Sequence, residues 1–469
     1  MAAAGTALQP VTRRRLGTAL AGGGAAALLS ACAGPFGAPA APAPPAGGAG
    51  GAGGPGAAAG AQPLEIAIPW AEPEPVNAGL RQAVDAFVAG HPQSPVRLSV
   101  ITPWGPERLA TSVAAGAPPA LTLLPPTAVT TWGPQGLIEP LQDRFKAAKL
   151  NGSEFFPPVW ETMSWGGNGK VWHLPVQVDP NFPFFWNKAV LRDAGLDPEA
   201  PPATVDALDQ LGERLARESG GQWERLGFVP WSWYGAANSF TTAAYMFGGS
   251  FFDRTRDRVT FNDPQVIKAA QWIAGWAQRL GPERVAQPFG ATNPARLLAS
   301  GKLAFHPLVS VDIPLARQEN PALQLGSGAL PAAAPGQSGA VWTGGWHAAL
   351  VAGSKRQDEA WELLRWIGAS DEGTLAVARK LGGLPGFAKS PGLDELSGDA
   401  NMKAYVDAVR RARFLPPDFY LPVAVDYTPF VDAIAGRRAV PSALDEMTGQ
   451  TQRQLDERRA QPPAGQAGR

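Results

Sequence analysis

The chain has 469 residues, and its 40 lysines and arginines balance 40 aspartates and glutamates, so the formal net charge is zero. Hydrophobic residues make up 45 % and charged residues 17 %, which excludes a wholly disordered chain and the overall basicity of a nucleic-acid binder. A single cysteine excludes an internal disulfide framework and any multi-thiolate metal site. The four histidines, His91, His173, His306 and His347, form no His-Glu-x-x-His pair. The length allows two or three domains. Sixteen tryptophans are more than core filling needs.

Residues 1–31 carry no acidic side chain, and their only charges are Arg13, Arg14 and Arg15. An uncharged stretch from Leu16 to Ala31 follows. This is the layout of an export signal, too short and too weakly apolar for a spanning helix. Leu29-Ser-Ala-Cys32 resembles the bacterial lipobox, which implies cleavage before Cys32 and lipidation of that cysteine. A plain secretory signal with an incidental cysteine is the alternative. Thr12-Arg-Arg-Arg-Leu16 resembles a twin-arginine signal, with general secretion as the other route. From Cys32 to Pro63, 29 of 32 residues are Ala, Gly or Pro. Such a segment has nothing to bury, so a disordered tether of about 30 Å root-mean-square span is expected over 32–63.

The remainder alternates strands and helices. Leu64, Ile66 and Ile68 alternate as in a strand. Leu80, Ala83, Val84, Phe87 and Val88 share one helical face, stopped by Gly90-His-Pro92. Val96, Leu98 and Val100 give a second strand, Leu109–Ala115 a short helix and Ala120–Leu124 a buried strand. This rhythm predicts a mainly parallel sheet covered by helices. Asn262 or Asp263 is placed to cap a helix that has Pro264 in its first turn and Gly281 at its end. Ser354-Lys-Arg-Gln357 reads as a capping box. A last helix is expected from about Ser442 to Arg458, with a frayed tail over 459–469.

Several segments together resemble the extracellular solute-binding proteins of ABC importers, in the family that includes maltose-binding proteins. They are Gly169-Lys-Val-Trp-His-Leu-Pro175, Phe184-Phe-Trp-Asn-Lys188 with Ala194-Gly-Leu-Asp-Pro198, and Thr204-Val-Asp-Ala-Leu208. Leu298-Ala-Ser-Gly-Lys-Leu-Ala-Phe305 follows, then Gly344-Gly345 through Ser370-Asp-Glu-Gly373. Each motif is short; their order and spacing over most of 64–455 carry the resemblance. Two departures stand out. Ala115-Gly-Ala-Pro-Pro-Ala120 lacks the family's aspartate, and Trp186 replaces the common tyrosine before Asn187-Lys188.

The resemblance implies an α/β fold of two discontinuous lobes around a hinge cleft. The first lobe would hold 64–182 and 345–405, and the second 183–340 and 406–458. It implies a monomer outside the cell membrane, lipid-anchored through Cys32. Such a protein captures a carbohydrate and hands it to the transmembrane subunits of a permease. No cofactor, metal or nucleic acid is expected, and ATP hydrolysis would belong to another protein. Two alternatives stay open. One is a glycerol-phosphate-type ligand on the same fold, and the other is a surface-anchored carbohydrate-active hydrolase. A sensory role is not separable from transport.

A sugar offers apolar C–H faces to aromatic rings and a rim of hydroxyls to carboxylates and amides. Ligands in open α/β sheets gather beyond the carboxyl ends of strands. This points to Trp70 and Glu72 after the first strand, Trp104 after the second, and Gln177 and Asp179 before the first crossing. Trp231, Trp233 and Tyr234 form the most aromatic loop, and three rings in four residues cannot all face one core. Trp346 follows two glycines that permit close approach. Tyr427, with Tyr420 and Asp426, would line the cleft from the C-terminal part. Trp272, Trp276, Trp361 and Trp366 read instead as packing residues on helices. No catalytic residue is assigned. There is no Gly-x-Ser-x-Gly, and Gly166-Gly-Asn-Gly-Lys170-Val171 lacks the spacing and hydroxyl of a phosphate-binding loop.

Overall fold

A computed structural model describes residues 62–460 apart from 71–74, 103, 166–168, 233, 286–288, 290–291, 334–340 and 422. The expected export signal, Cys32, the tether to residue 61, Glu72, Trp233 and 461–469 lie outside the described residues.

The strands in chain order are β1 (Leu64–Ile68), β2 (Val96–Val100), β3 (Leu121–Leu124), β4 (Leu174–Asn181), β5 (Phe184–Asn187), β6 (Arg217–Ser219), β7 (Gln222–Arg225), β8 (Phe252–Asp253), β9 (Arg258–Val259), β10 (Phe305–Pro307), β11 (Leu325–Gly328) and β12 (Trp342–Leu350). A five-stranded sheet runs β2-β1-β3-β12-β4, and a three-stranded sheet runs β10-β5-β11. β6–β7 and β8–β9 are separate antiparallel pairs.

The first sheet is mainly parallel, as expected, with one reversed strand. β1 pairs in parallel with β2 and β3, but β12 lies antiparallel to both β3 and β4. β12 returns from the second sheet and enters the first in the opposite sense. It inserts between strands that are adjacent in sequence, which no local pattern announces. The second sheet is antiparallel throughout.

Each sheet is backed by a core, and the second sheet contributes to both, with Phe185 of β5 in the first. In the first, Leu64, Ile66 and Ile68 meet the apolar face of the helix Pro75–Gly90 at Leu80, Ala83, Val84 and Phe87. In the second, Phe184 and Trp186 of β5 pack with Phe228, Phe240, Ile273 and Trp276. Trp276, Trp361 and Trp366 are buried as expected, and Trp272 is half-buried. The indole N–H groups of Trp272 and Trp276 both donate to Asp209, at 2.9 and 2.7 Å. That pairing lets two polar ring edges enter the core.

Two helix starts differ from expectation. Ser354 does not cap a helix. Arg356 adopts a left-handed backbone (φ 58°), the helix begins at Gln357, and Ser354 Oγ has no hydrogen-bond partner among the described residues. Arg356 instead donates through Nε to Glu359 at 2.7 Å. Asp263 does precede the helix Pro264–Leu280, but its side chain makes no capping bond, and Asn262 donates to Asp445. The last helix runs from Val440 to Ala460, so residues 459 and 460 are helical rather than frayed.

The chain leaves the first sheet for the second after β4 and returns to the first between β11 and β12. Phe182 between β4 and β5, Leu308–Asp312 after β10 and, as a third crossing, Ala412–Leu415 near the C-terminus lie along the seam between the two sheets. Thr343 N donates to Phe414 O at 3.1 Å, and Tyr245 donates its hydroxyl to Leu415 O at 2.7 Å, which binds the third crossing to both sides.

Candidate ligand-binding site

Alternate residues of a strand face opposite sides. In β4, Val176 and Val178 enter the first core, so Gln177, Asp179 and Asn181 face the seam. β12 lies opposite with Trp346 across from Gln177, Gly344 across from Asp179 and Trp342 across from Asn181. Gly345 makes this close approach possible. Its φ is 117°, and a Cβ there would stand 2.3 Å from Gln177 O. Only glycine fits both the angle and the space.

Three of the expected tryptophans meet beside this face, Trp70 and Trp346 as buried members of the first core and Trp104 partly buried against it. Trp70, 5 % exposed, presents an edge to Trp346 with ring centroids 4.8 Å apart. Trp346 in turn meets Trp104 at 6.4 Å. Trp132 extends the group 6.0 Å beyond Trp104. Asn77 Nδ2 donates to Trp70 O at 2.9 Å, tying the end of β1 to the following helix. The indole Nε1 of Trp104 is buried without a hydrogen-bond partner among the described residues, and so is Gln177 Oε1. A buried polar atom left so carries a desolvation penalty that a suitable partner removes.

A buried polar network runs beside the rings. Asp179 accepts from Ser310 Oγ at 3.2 Å and from Gln177 Nε2 at 3.4 Å. Asp312 accepts from Asn293 Nδ2 at 3.1 Å and from the Tyr234 hydroxyl, which itself accepts from Val309 N at 3.1 Å. Phe182 stacks on Tyr234 at 5.3 Å, and Trp342 donates to Thr242 at 3.0 Å. Neither aspartate forms an ion pair among the described residues. Burial therefore pushes the Asp179 carboxyl up to about 6; its two hydrogen bonds oppose the shift and the charge of Asp312 adds to it. Burial also raises Asp312 above the ordinary carboxylate range.

Two sets of histidines lie close by. His306 donates from Nδ1 to Pro307 O, so its Nε2 accepts from Ser232 at 3.2 Å. Burial lowers it to about 4. His173 and His347 meet Nδ1 to Nδ1 at 2.8 Å, which requires one to donate and the other to accept. Burial lowers His173 to about 3 and His347 well below its ordinary value. These imidazoles are neutral. Among the described residues no group of three His, Cys, Asp or Glu is placed to hold a metal ion.

The structure thus brings together Trp70, Trp104, Trp346, Gln177 and Asp179, with Tyr234 in the network beside them. It does not bring in Trp231, which packs in the second core, or Tyr427, which lies against that core ahead of the helix Thr428–Ile434. Ser310, Asp312, Asn181 and Trp132 were missed. Ser310 and Asp312 follow a short strand with no motif of their own, and only the register of the seam places them.

A family model described as bacterial extracellular solute-binding protein matches residues 70–373. A curated relative from Deinococcus radiodurans, named a probable ABC transporter-binding protein, is 26 % identical over 230 residues. That match covers 47 % of this chain and 53 % of the relative, so the chain spans about half the length of the curated relative it matches. Among solved structures, CpMnBP1 with mannotriose bound has a TM-score of 0.71 at 23 % identity, over 83 % of this chain and 99 % of that one. The GacH receptor of Streptomyces glaucescens has a TM-score of 0.67 at 20 % identity, over 85 % and 99 %. The sugar-binding protein MalE of Xanthomonas citri has 0.67 at 18 %, over 85 % and 98 %. These neighbours share the fold, an α/β architecture of two lobes.

Proposed function

The chain belongs to the bacterial extracellular solute-binding protein family, and on that premise we propose that it captures a carbohydrate between its two lobes and delivers it to an ABC permease. The observation that carries this reading is the seam itself. Three indoles cluster there, Trp104 partly buried and Trp70 and Trp346 buried behind it, while Gln177 and Asp179 offer acceptors one strand away. A pyranose has the complementary pattern. Its C–H faces suit the rings, and its hydroxyls suit the amide, the carboxylate and the Trp104 N–H. A ligand touching both lobes favours the closed form by its differential affinity for that form, and a permease would read the closed form.

The lobes are taken as 64–182 with 345–405 and 183–340 with 406–458. Sheet membership supports this division, since β1–β4 fall in the first set and β5, β10 and β11 in the second. Among the described residues no helix is long and apolar enough to cross a membrane. Attachment through a lipid on Cys32, with 32–63 as tether, is the reading that the Leu29-Ser-Ala-Cys32 sequence supports. The mannotriose in CpMnBP1 and the acarbose described for GacH make oligosaccharides the first ligands to try.

The experiment is a tryptophan-fluorescence titration with malto- and manno-oligosaccharides and glycerol-phosphate esters, followed by chromatography of the recovered ligand. Saturable quenching or enhancement with the saccharide unchanged supports capture. A response confined to the phosphate esters, or cleavage of the saccharide, moves the assignment to one of the two alternatives.

A further inference from the structure

The row of rings Trp70, Trp346, Trp104 and Trp132 has one end marked by a second group of side chains. Trp132 and Trp172 belong to an apolar cluster against which Trp104 and Tyr420 also pack. At Tyr420 three separate segments meet. Glu161 stands on the helix Pro157–Met163, whose Val159 and Met163 are rooted in the first core. Arg254 stands on the β8–β9 hairpin, whose Val259 is rooted in the second. Glu161 Oε1 accepts from Arg254 Nη1 and from the Tyr420 hydroxyl, each at 3.4 Å. The Arg254 guanidinium lies 5.3 Å from the Tyr420 ring centre, and Phe252 of the same hairpin stacks on that ring at 6.5 Å with 7° between planes. Burial and the Glu161 charge push the Tyr420 phenol up to about 12, so it stays a hydroxyl donor at neutral pH. Arg458 Nη2 adds a bond to Thr130 O at 3.2 Å, from the last helix to the first core's side of the seam.

We infer that Glu161, Arg254 and Tyr420 form a bar across this end of the cleft and limit the length of saccharide it can enclose. The inference rests on the saccharide reading above. A ligand laid along the rings from Trp70 towards Trp132 runs next into the cluster that holds Tyr420. To pass further it must part Arg254 from Glu161 and lift the guanidinium off the ring. An ion pair between side chains that are 69 % and 41 % exposed is weak alone. The cation–π contact and the Tyr420 hydrogen bond act on the same three groups and add to it. Parting all three contacts is expected to disfavour a longer ligand about tenfold. The bar is therefore a length selector that depends on salt, because the ion pair within it is screened.

The test uses the purified full chain and fluorescence titrations with malto- and manno-oligosaccharide ladders from disaccharide to hexasaccharide. Wild type, Arg254→Ala and Glu161→Gln are compared at low and high salt. Arg256→Ala, on the same hairpin but paired with Asp253, serves as the control. The expected result is an affinity maximum at short length in wild type. In both bar variants, affinity for the longer members rises about tenfold while the shortest are unchanged. High salt shifts wild type towards the variants and leaves the variants and their length profile alone. An identical length profile in wild type and variants overturns the bar and leaves saccharide capture standing. A shift that Arg256→Ala reproduces also overturns it, since the hairpin as a whole would then be responsible. Absence of binding to every member of both ladders, in every variant, removes the saccharide reading and the bar with it.

Discussion

Replacing Asp179 by asparagine separates what this carboxylate does for binding from what it does to stability. Asp179 is buried, has no ion-pair partner among the described residues, and titrates at about 6 rather than 3.8. Its folded pKa is raised, so the folded state holds the proton more tightly than the unfolded state. The group is neutral in the fold at low pH, and the fold loses stability as pH rises from about 4 through about 6. The full penalty is the shift of roughly two pH units, or about 3 kcal/mol, reached by pH 7. Asparagine keeps the size and an acceptor for Ser310 Oγ but carries no charge to bury. Asp179→Asn should therefore unfold at higher urea than wild type at pH 7.5, by up to about 3 kcal/mol. The advantage should fade to about half a kcal/mol at pH 4. Saccharide affinity at pH 7.5 should fall about tenfold or more, because a charge-assisted hydrogen bond to the ligand is lost. Paired urea curves at the two pH values, with one titration, decide it. A variant less stable than wild type at pH 7.5, or one whose stability difference is the same at both pH values, would refute the claim that an uncompensated charge sits at the seam.

Three further outcomes follow from the same geometry. His306, buried and lowered to about 4, stays neutral in the fold while the unfolded chain takes a proton below about 6.5. The stability that wild type holds over His306→Gln should shrink by about 2 kcal/mol in all between pH 6 and 4, read from urea unfolding. Gly345→Ala should destabilise by about 3 kcal/mol or more, since β12 would be forced off Gln177 and Val178; a soluble variant with wild-type unfolding would contradict the register. Trp346→Ala removes the central ring of the row and should abolish measurable saccharide binding at a stability loss of about 3–5 kcal/mol, while Trp346→Phe should keep the fold and weaken binding less.

Much of the first sheet was legible because its signals are local. The alternation of Leu64, Ile66 and Ile68 and the helical spacing of Leu80 to Phe87 each fix an element by periodicity alone. The position of β12 was not, because its partners are strands more than 150 residues earlier and its direction depends on the path back from the second sheet. Ser354 failed as a cap for a backbone reason: Arg356 takes a left-handed angle that moves the helix start past it. At the site, Trp70, Trp104, Gln177 and Asp179 were found because they follow or occupy strands. Trp346 was found because two glycines precede it. Ser310 and Asp312 reach Asp179 and Tyr234 only through the path of the segment after β10, so nothing in their neighbourhood marked them. Trp231 shows the converse, an aromatic in a conspicuous loop whose ring belongs to a core.

The most direct measurement is thermal and urea unfolding of the chain with and without each saccharide of the panel, with the ligand analysed afterwards. Capture between the lobes predicts stabilisation that grows with concentration, reaching about 2.7 kcal/mol at ~100 times the dissociation constant. The effect should be absent in Trp346→Ala, with the saccharide recovered intact. Stabilisation of equal size in Trp346→Ala would place the ligand elsewhere, and no stabilisation by any saccharide would contradict the account.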